Sequence, residues 1–336
     1  MTTANLQEPL DAEPSHRGPL LLGALALGLL IWFAIPPSMV GRPPGPIRIV
    51  GKNFLESAIL AELMAQSLLE AGYPVDPIDY PRIPNAEFLT GLDRGDIDLY
   101  PEYSSTLVVQ LLGQDPSVST AANHGDPEWV RSILQAEQSD LTWLTPFQYS
   151  SNYQPVMLRP RAEELGLLSD GTLRLSELAA NAPGLTLGAS PDFFRRRDAL
   201  PGLIKAYPGI ELMNHNIDKH ELLYERMRDQ RADVGIAYTT DPELSENPAL
   251  VRVEDDRSYF LDYRPAPLAR KDVLVAYPGI ERVLLDLSTR IDLKAMLDLH
   301  QRADEAGLAL DDLRESVVAQ RQLQTLVREF LRSNPE

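Results

Sequence analysis

Ile47-Arg48-Ile49-Val50-Gly51-Lys52-Asn53-Phe54-Leu55-Glu56, continuing Ser57-Ala58-Ile59-Leu60, is the stretch whose reading decides the fold class. Ile47–Val50 is short, mostly apolar and β-branched, and reads as a buried strand. Asn53 stands where a helix cap belongs, with Glu56 three residues on as in a capping box. Ile59, Leu60, Leu63, Met64, Leu68 and Leu69 recur at helical spacing, and Gly72 is placed to end the helix. Outward from there the chain predicts a strand around Val75–Ile78, a helix from about Asn85 to Arg94, and a strand Asp96–Tyr100. Strand, helix and strand in alternation predict an α/β fold whose sheet is at least partly parallel.

The pattern returns downstream. Leu185–Ala189 reads as a strand, Lys219–Gln230 as a helix and Ala232–Tyr238 as a strand. Gly95-Asp96-Ile97-Asp98-Leu99-Tyr100 and Ala232-Asp233-Val234-Gly235-Ile236-Ala237-Tyr238 share one logic: a helix end, an Asp, an apolar strand, then Tyr. Two similar α/β lobes would explain the echo; chance would also produce one this short. The hexapeptide at 206–211 recurs at 276–281, but the flanking sequences differ and the repeat reads as coincidence. From Ile280 to Leu331 the chain is strongly helical.

Composition narrows the function. Of 336 residues, 44% are hydrophobic and 24% charged, the proportions of a globular chain. The formal net charge of −18 repels a polyanion, so nucleic acid is not an expected partner. The absence of cysteine removes disulfides, thiolate metal sites and cysteine nucleophiles. Residues 1–18 are polar. No charge occurs from Gly18 to Gly41, and residues 19–40 read as an uncleaved membrane anchor in preference to a cleaved signal, since no A-x-A site follows. Residues 41–46, rich in Pro and Gly, read as a stiff spacer.

Catalytic and metal signatures are weak. His215 and His220 are five apart, whereas helical ligand pairs favour three or four, so no metal and no cofactor is expected. There is no nucleophile elbow, phosphate loop or dinucleotide fingerprint. Asp98 and Glu102 resemble an acid–base pair but read better as structural; Arg195–Arg197 and Glu254–Asp256 read as solvated charge runs.

Further motifs bring a resemblance. The run from Ile49 to Phe54 with Glu56, and Gly95-Asp96-Ile97-Asp98-Leu99-Tyr100-Pro101-Glu102-Tyr103-Ser104-Ser105-Thr106, resemble the glycine betaine/choline-binding family of ABC-transporter substrate-binding proteins. Tyr149–Tyr153, Leu187–Ala189 with Arg195–Asp198, Tyr238–Asp241 and Tyr263–Pro267 resemble later blocks of that family, in order. The resemblance runs from Ile47 nearly to the end. It implies a type II periplasmic-binding-protein fold: two α/β lobes, 47–149 plus 262–336 and 150–261, joined by two crossover strands. It implies a ligand cage of Tyr103, Tyr153, Tyr238 and Tyr263, a polar contact at Thr106, and cationic partners for a ligand carboxylate at Lys52 and Arg197. Ser151 departs from members with Asp at that place, which leaves ligand preference open. The implied function is capture of a quaternary-ammonium osmolyte at the extracytoplasmic face of the inner membrane, for an ABC permease and its ATPase subunit, without catalysis.

The physics of such a cage stands apart from the resemblance. A trimethylammonium group has no hydrogen to donate, so aromatic faces must hold it, at about 0.5–1 kcal/mol each when wet and about 2 when desolvated. Four rings offer about 4–8 kcal/mol gross, from which association costs of at least about 4 must be subtracted. A micromolar complex, near −8 kcal/mol, therefore needs a carboxylate clamp and lobe closure as well. Taken singly, each tyrosine reads as packing and Lys52 as a solvated lysine. Two other functions fit the same chain: a ligand sensor for a membrane partner, and an enzyme on the same fold using Glu102 or Asp98.

Overall fold

The computed structural model describes residues 45–115, 126–168, 171–181, 184–217 and 219–333, of which 45–333 fall in one contact unit. The anchor at 19–40, the polar tail and most of the spacer lie outside the described residues. Among the described residues, no helix is long and apolar enough to cross a membrane.

The helix Leu55–Glu70 is buried on nearly every face, including Glu56, Ser57, Glu62 and Gln66. The helices Ile280–Arg290 and Val317–Ser333 pack against it. This is a wider burial than the one apolar stripe expected. Its start also differs from the expected cap: Phe54 is the cap residue and makes no side-chain cap bond. Ser57 Oγ accepts the Lys52 N–H at 2.9 Å, and Asn53 Oδ1 is taken by Arg314. Glu56 is thereby free to point into the molecule. Gly72 does follow the helix, with φ +87°.

The strands are β1 (Leu99–Tyr103), β2 (Leu141–Trp143), β3 (Tyr153–Leu158), β4 (Leu173–Arg174), β5 (Leu185–Ala189), β6 (Leu212–Asn216), β7 (Val234–Tyr238), β8 (Leu250–Glu254) and β9 (Pro265–Arg270). They form two sheets, one ordered β1-β9-β2 and one ordered β4-β8-β3-β7-β5-β6. In the second, β5 runs parallel to β6 and β7, while β3 is antiparallel to β7 with Tyr153 opposite Tyr238. The expected strands at 47–50 and 75–78 are reduced to parallel bridges, Ile47 to Val75, Val50 to Asp79 and Ile49 to Leu99. The strand expected at 96–100 begins three residues later. Asp98 is engaged instead by Arg48, whose backbone N–H donates to its carboxylate at 2.9 Å and whose guanidinium pairs with it at 2.8 Å. The helix expected over Lys219–Gln230 is a 3₁₀ turn, His220–Leu222, followed by the helix Leu223–Arg228.

The repeated hexapeptide proves to be a structural device and not coincidence. Helices end at Ala206 and Ala276, the next tyrosines have φ/ψ of −122°/74° and −123°/74°, and Gly209 and Gly279 have φ +97° and +101°. Only glycine takes that left-handed turn without strain. Tyr207 and Tyr277 then donate their hydroxyls to Asp255 and to the Gly45 carbonyl.

The chain crosses between the sheets twice, from Trp143 to Tyr153 and from Glu254 to Pro265. The crossings lie side by side: Ser151 N–H donates to the Tyr263 carbonyl at 3.0 Å, and Tyr263 N–H to Asn152 Oδ1 at 2.8 Å. Ser104 and Ser105 hydroxyls donate to the Asp262 carbonyl at 3.0 and 2.6 Å. This junction gathers the ends of β1, β3, β7 and β9, and with them the tyrosines singled out by sequence.

Candidate functional site

Tyr153 opens β3, Tyr238 closes β7 and Tyr263 stands two residues before β9. Cross-strand pairing of Tyr153 with Tyr238 puts both side chains on one face of the sheet. The Tyr153 ring lies 5.6 Å from Tyr238 and 5.3 Å from Tyr263, the latter edge-on at 73°. Phe193 at 5.0 Å and Phe260 at 5.9 Å complete a ring cluster around it. Perpendicular aromatic neighbours are two walls of one corner, and their faces carry the negative end of the ring quadrupole.

Tyr103, at the end of β1, is not in ring contact with those three. Its ring packs on Phe54 at 5.6 Å, and its hydroxyl donates to Glu56 at 2.7 Å. A hydrogen-bond chain links the two groups: Glu56 accepts from Ser151 at 3.1 Å, and Ser151 and Thr240 hydroxyls lie 3.1 Å apart, two residues from Tyr238. Tyr149 also donates to Glu56, at 3.2 Å. Burial holds the Tyr103, Tyr149 and Tyr263 hydroxyls well above the ordinary phenol range, with the neighbouring carboxylates adding to the shift where they accept from them. They therefore stay protonated donors at any physiological pH.

The cationic side is more tightly partnered than the sequence implies. Lys52 is 2% exposed, not solvated, and its ammonium pairs with Glu102 at 2.8 Å. Glu102 accepts the Tyr100 hydroxyl at 3.0 Å as well, which makes its role structural. Burial lowers the Lys52 pKa, against the opposing pull of Glu102. Lys52 Nζ stands 5.6 Å from the Tyr103 ring centre.

Arg197 is not brought to the rings: its guanidinium donates to the Val109 and Gly113 carbonyls at 3.1 and 3.4 Å. Arg196 is. It lies 5.4 Å from the Tyr263 ring centre, pairs with buried Asp198 at 2.8 Å and donates to Thr106 Oγ1 at 3.2 Å. Asp198 also accepts from Tyr263 at 2.7 Å and from Gln110 at 2.8 Å. Thr106 and Gln110 belong to a π-helical turn, Thr106–Leu111, a geometry often met at functional sites. The arginine run is thus not a uniform solvated face: Arg195 points outward to Asp192 while Arg196 turns in. Asp255 likewise faces inward, accepting the Phe260 N–H at 2.7 Å.

Behind Tyr238 sits a further group. His220 stacks edge-on against its ring at 4.8 Å and hydrogen-bonds Asp241 at 2.7 Å. Asp241 also accepts the Tyr224 hydroxyl at 2.7 Å and the Tyr238 N–H at 3.0 Å. Burial would depress His220, but the Asp241 carboxylate outweighs it and raises the pKa; Asp241 is correspondingly lowered despite its own burial.

Sequence reasoning missed Arg196, Asp198, Glu56, Tyr149, Phe193, Phe260 and His220 as members of this site. Arg196 is one residue from the position the resemblance implies, and Glu56 occupies a capping-box position in the sequence. Phe193 and Phe260 carry no local signal that separates them from core.

The chain matches, over residues 45–320, the family described as the substrate binding domain of ABC-type glycine betaine transport system. It is 28% identical over 282 residues to a glycine-betaine-binding protein of Pseudomonas aeruginosa, covering 80% of this chain and 87% of that one. It is 26% identical over 280 residues to an ergothioneine transport permease/ergothioneine binding protein of Helicobacter pylori, covering 83% of this chain but only 48% of that longer one. Among solved structures, a glycine betaine/carnitine/choline ABC transporter protein superposes with a TM-score of 0.63 at 18% identity, over 85% of this chain and 98% of that one. The architecture is therefore a mixed α/β fold like that of periplasmic binding proteins.

Proposed function

Because the chain belongs to the family of substrate binding domains of ABC-type glycine betaine transport systems, we propose that it captures a glycine betaine- or choline-type quaternary amine and hands it to an ABC permease and its ATPase subunit. The observation that carries this reading is the contact of Tyr153 with both Tyr238 and Tyr263, beside the Arg196 guanidinium. A methylated ammonium settles on ring faces because it has no hydrogen bond to offer, and a desolvated site strengthens that attraction. A carboxylate on the same ligand meets Arg196, with Thr106 and Lys52 near it, in place of the Lys52 and Arg197 pair that the sequence implied. Tyr103 forms a fourth wall when the two halves approach. The halves are 47–149 plus 262–336 and 150–261, with the paired crossings as hinge. The family is one of transport, so the chain binds and releases without catalysis. Residues 19–40 tether it to the inner membrane, the binding unit standing on the extracytoplasmic face.

Titration calorimetry of the full chain in detergent, against glycine betaine, proline betaine, carnitine, choline and ergothioneine, tests this. Saturable binding to at least one of them, weakened in Tyr263→Ala, supports the reading. Binding to none by a folded protein overturns it.

A further inference from the structure

We propose that Glu56 sets the charge selectivity of the site: its buried carboxylate, gripped by the hydroxyls of Tyr103 and Tyr149, makes the rings favour a ligand cation over a neutral group of the same shape. The inference rests on the quaternary-amine reading above and asks what gives that site its sign.

Among the described residues, four buried carboxylates stand beside the tyrosines. Glu102 has Lys52 at 2.8 Å, Asp198 has Arg196 at 2.8 Å and Asp241 has His220 at 2.7 Å, so each of these three is matched by a basic partner. Glu56 is not. It is 4% exposed and accepts three neutral hydroxyls: Tyr103 at 2.7 Å, Tyr149 at 3.2 Å and Ser151 at 3.1 Å. Among the described residues, the only basic group within 4 Å of it is His300, whose Nε2 stands 3.9 Å away and makes no hydrogen bond. His220, behind Tyr238, also interacts electrostatically with the Glu56 charge.

Neutral donors solvate an anion without cancelling its charge, and at low effective dielectric that charge reaches further than in water. The Ser151–Thr240 link places Glu56 toward the Tyr153–Tyr238 side, where its charge acts through space, so Glu56 is a positioning residue that need not touch the ligand. This separates it from Asp198, which holds Tyr263 in the same way but is neutralised by Arg196.

The test compares glycine betaine with 3,3-dimethylbutanoate, which keeps the carboxylate and the shape but replaces the ammonium nitrogen by carbon. In Glu56→Gln the full-length protein should lose affinity for glycine betaine while the carbon analogue binds as well as before or better. The affinity ratio should fall by roughly tenfold, as expected for the loss of one buried charge acting through a partly screened site. An unchanged ratio, or parallel losses for both ligands, overturns the proposal. If Glu56→Gln does not fold, Glu56→Met, which removes the charge at similar length, reads the same ratio; a comparable fall is expected there, and no change overturns the proposal. Wild-type protein that binds neither ligand nor any other quaternary amine overturns the site reading itself, a different result from a ratio that fails to move.

Discussion

Tyr153 and Tyr238 on one side, and Tyr103 and Tyr263 on the other, are the same residue in opposite electrostatic company. Tyr103 has the Lys52 ammonium over its ring and Tyr263 the Arg196 guanidinium, at 5.6 and 5.4 Å. Among the described residues, no lysine or arginine stands over Tyr153 or Tyr238; Tyr153 packs on Tyr238, Phe193 and Phe260, and the His220 ring meets Tyr238 edge-on at 4.8 Å while its nitrogen is held by Asp241. A ring already facing a protein cation has less attraction left for a ligand's. The first pair is therefore the place for an ammonium head. The second lies beside the basic residues that suit a carboxylate. A zwitterion laid across the junction would match both.

The largest effect expected is structural. Lys52→Ala uncovers the Tyr103 face but leaves Glu102 buried without its cation, and should cost about 3–5 kcal/mol of stability, read by denaturant unfolding. A loss below about 1 kcal/mol would mean that the pair is solvated in solution. Next comes Tyr153→Ala, expected to weaken glycine betaine by about 2 kcal/mol, or roughly 30-fold, against a clearly smaller loss for Tyr103→Ala. Equal losses from the two would erase the distinction drawn between the ring pairs. Smaller again, Tyr263→Phe removes the hydroxyl that Asp198 accepts and should lower stability by about 1 kcal/mol while keeping the ring wall; unaltered unfolding would show that bond to be weak.

The smallest effect is a pH slope beneath Tyr238. The folded His220 pKa lies above its ordinary 6.5, so the pair with Asp241 contributes fully below that pH and loses its contribution as pH rises through the folded value. Asp241 lies below its ordinary 3.8, so its contribution is present above that pH and is lost only as pH falls through the folded value. Stability should decline gently with rising pH above about 6.5 in the wild type and not in His220→Gln, as read by melting temperatures across that range. Parallel curves would remove the ion pair from the account.

Where local rules govern, the chain was legible. Asn85–Arg94 and Leu185–Ala189 form over the residues expected, because spacing and flanking glycines settle them. Where distant partners intervene it was not. Nothing near Glu56 in sequence announces that it serves Tyr103, Tyr149 and Ser151, 47 to 95 residues away, so its place in a capping pattern misled. Three arginines in a row gave no means of telling which turns inward; the answer depends on Asp198 and Thr106. The tyrosines themselves were found through the resemblance, since a tyrosine in a site and one in a core look alike in sequence. The hexapeptide repeat shows the reverse error, a real backbone device set aside because its surroundings differ.

The most direct test of the central claim is a crystal structure of the protein with glycine betaine bound. The account predicts the ammonium nitrogen within about 6 Å of the Tyr153 and Tyr238 ring centres, with the carboxylate toward Arg196. A ligand seated away from Tyr153, or lying with its carboxylate on the rings and its ammonium toward Arg196, would contradict it.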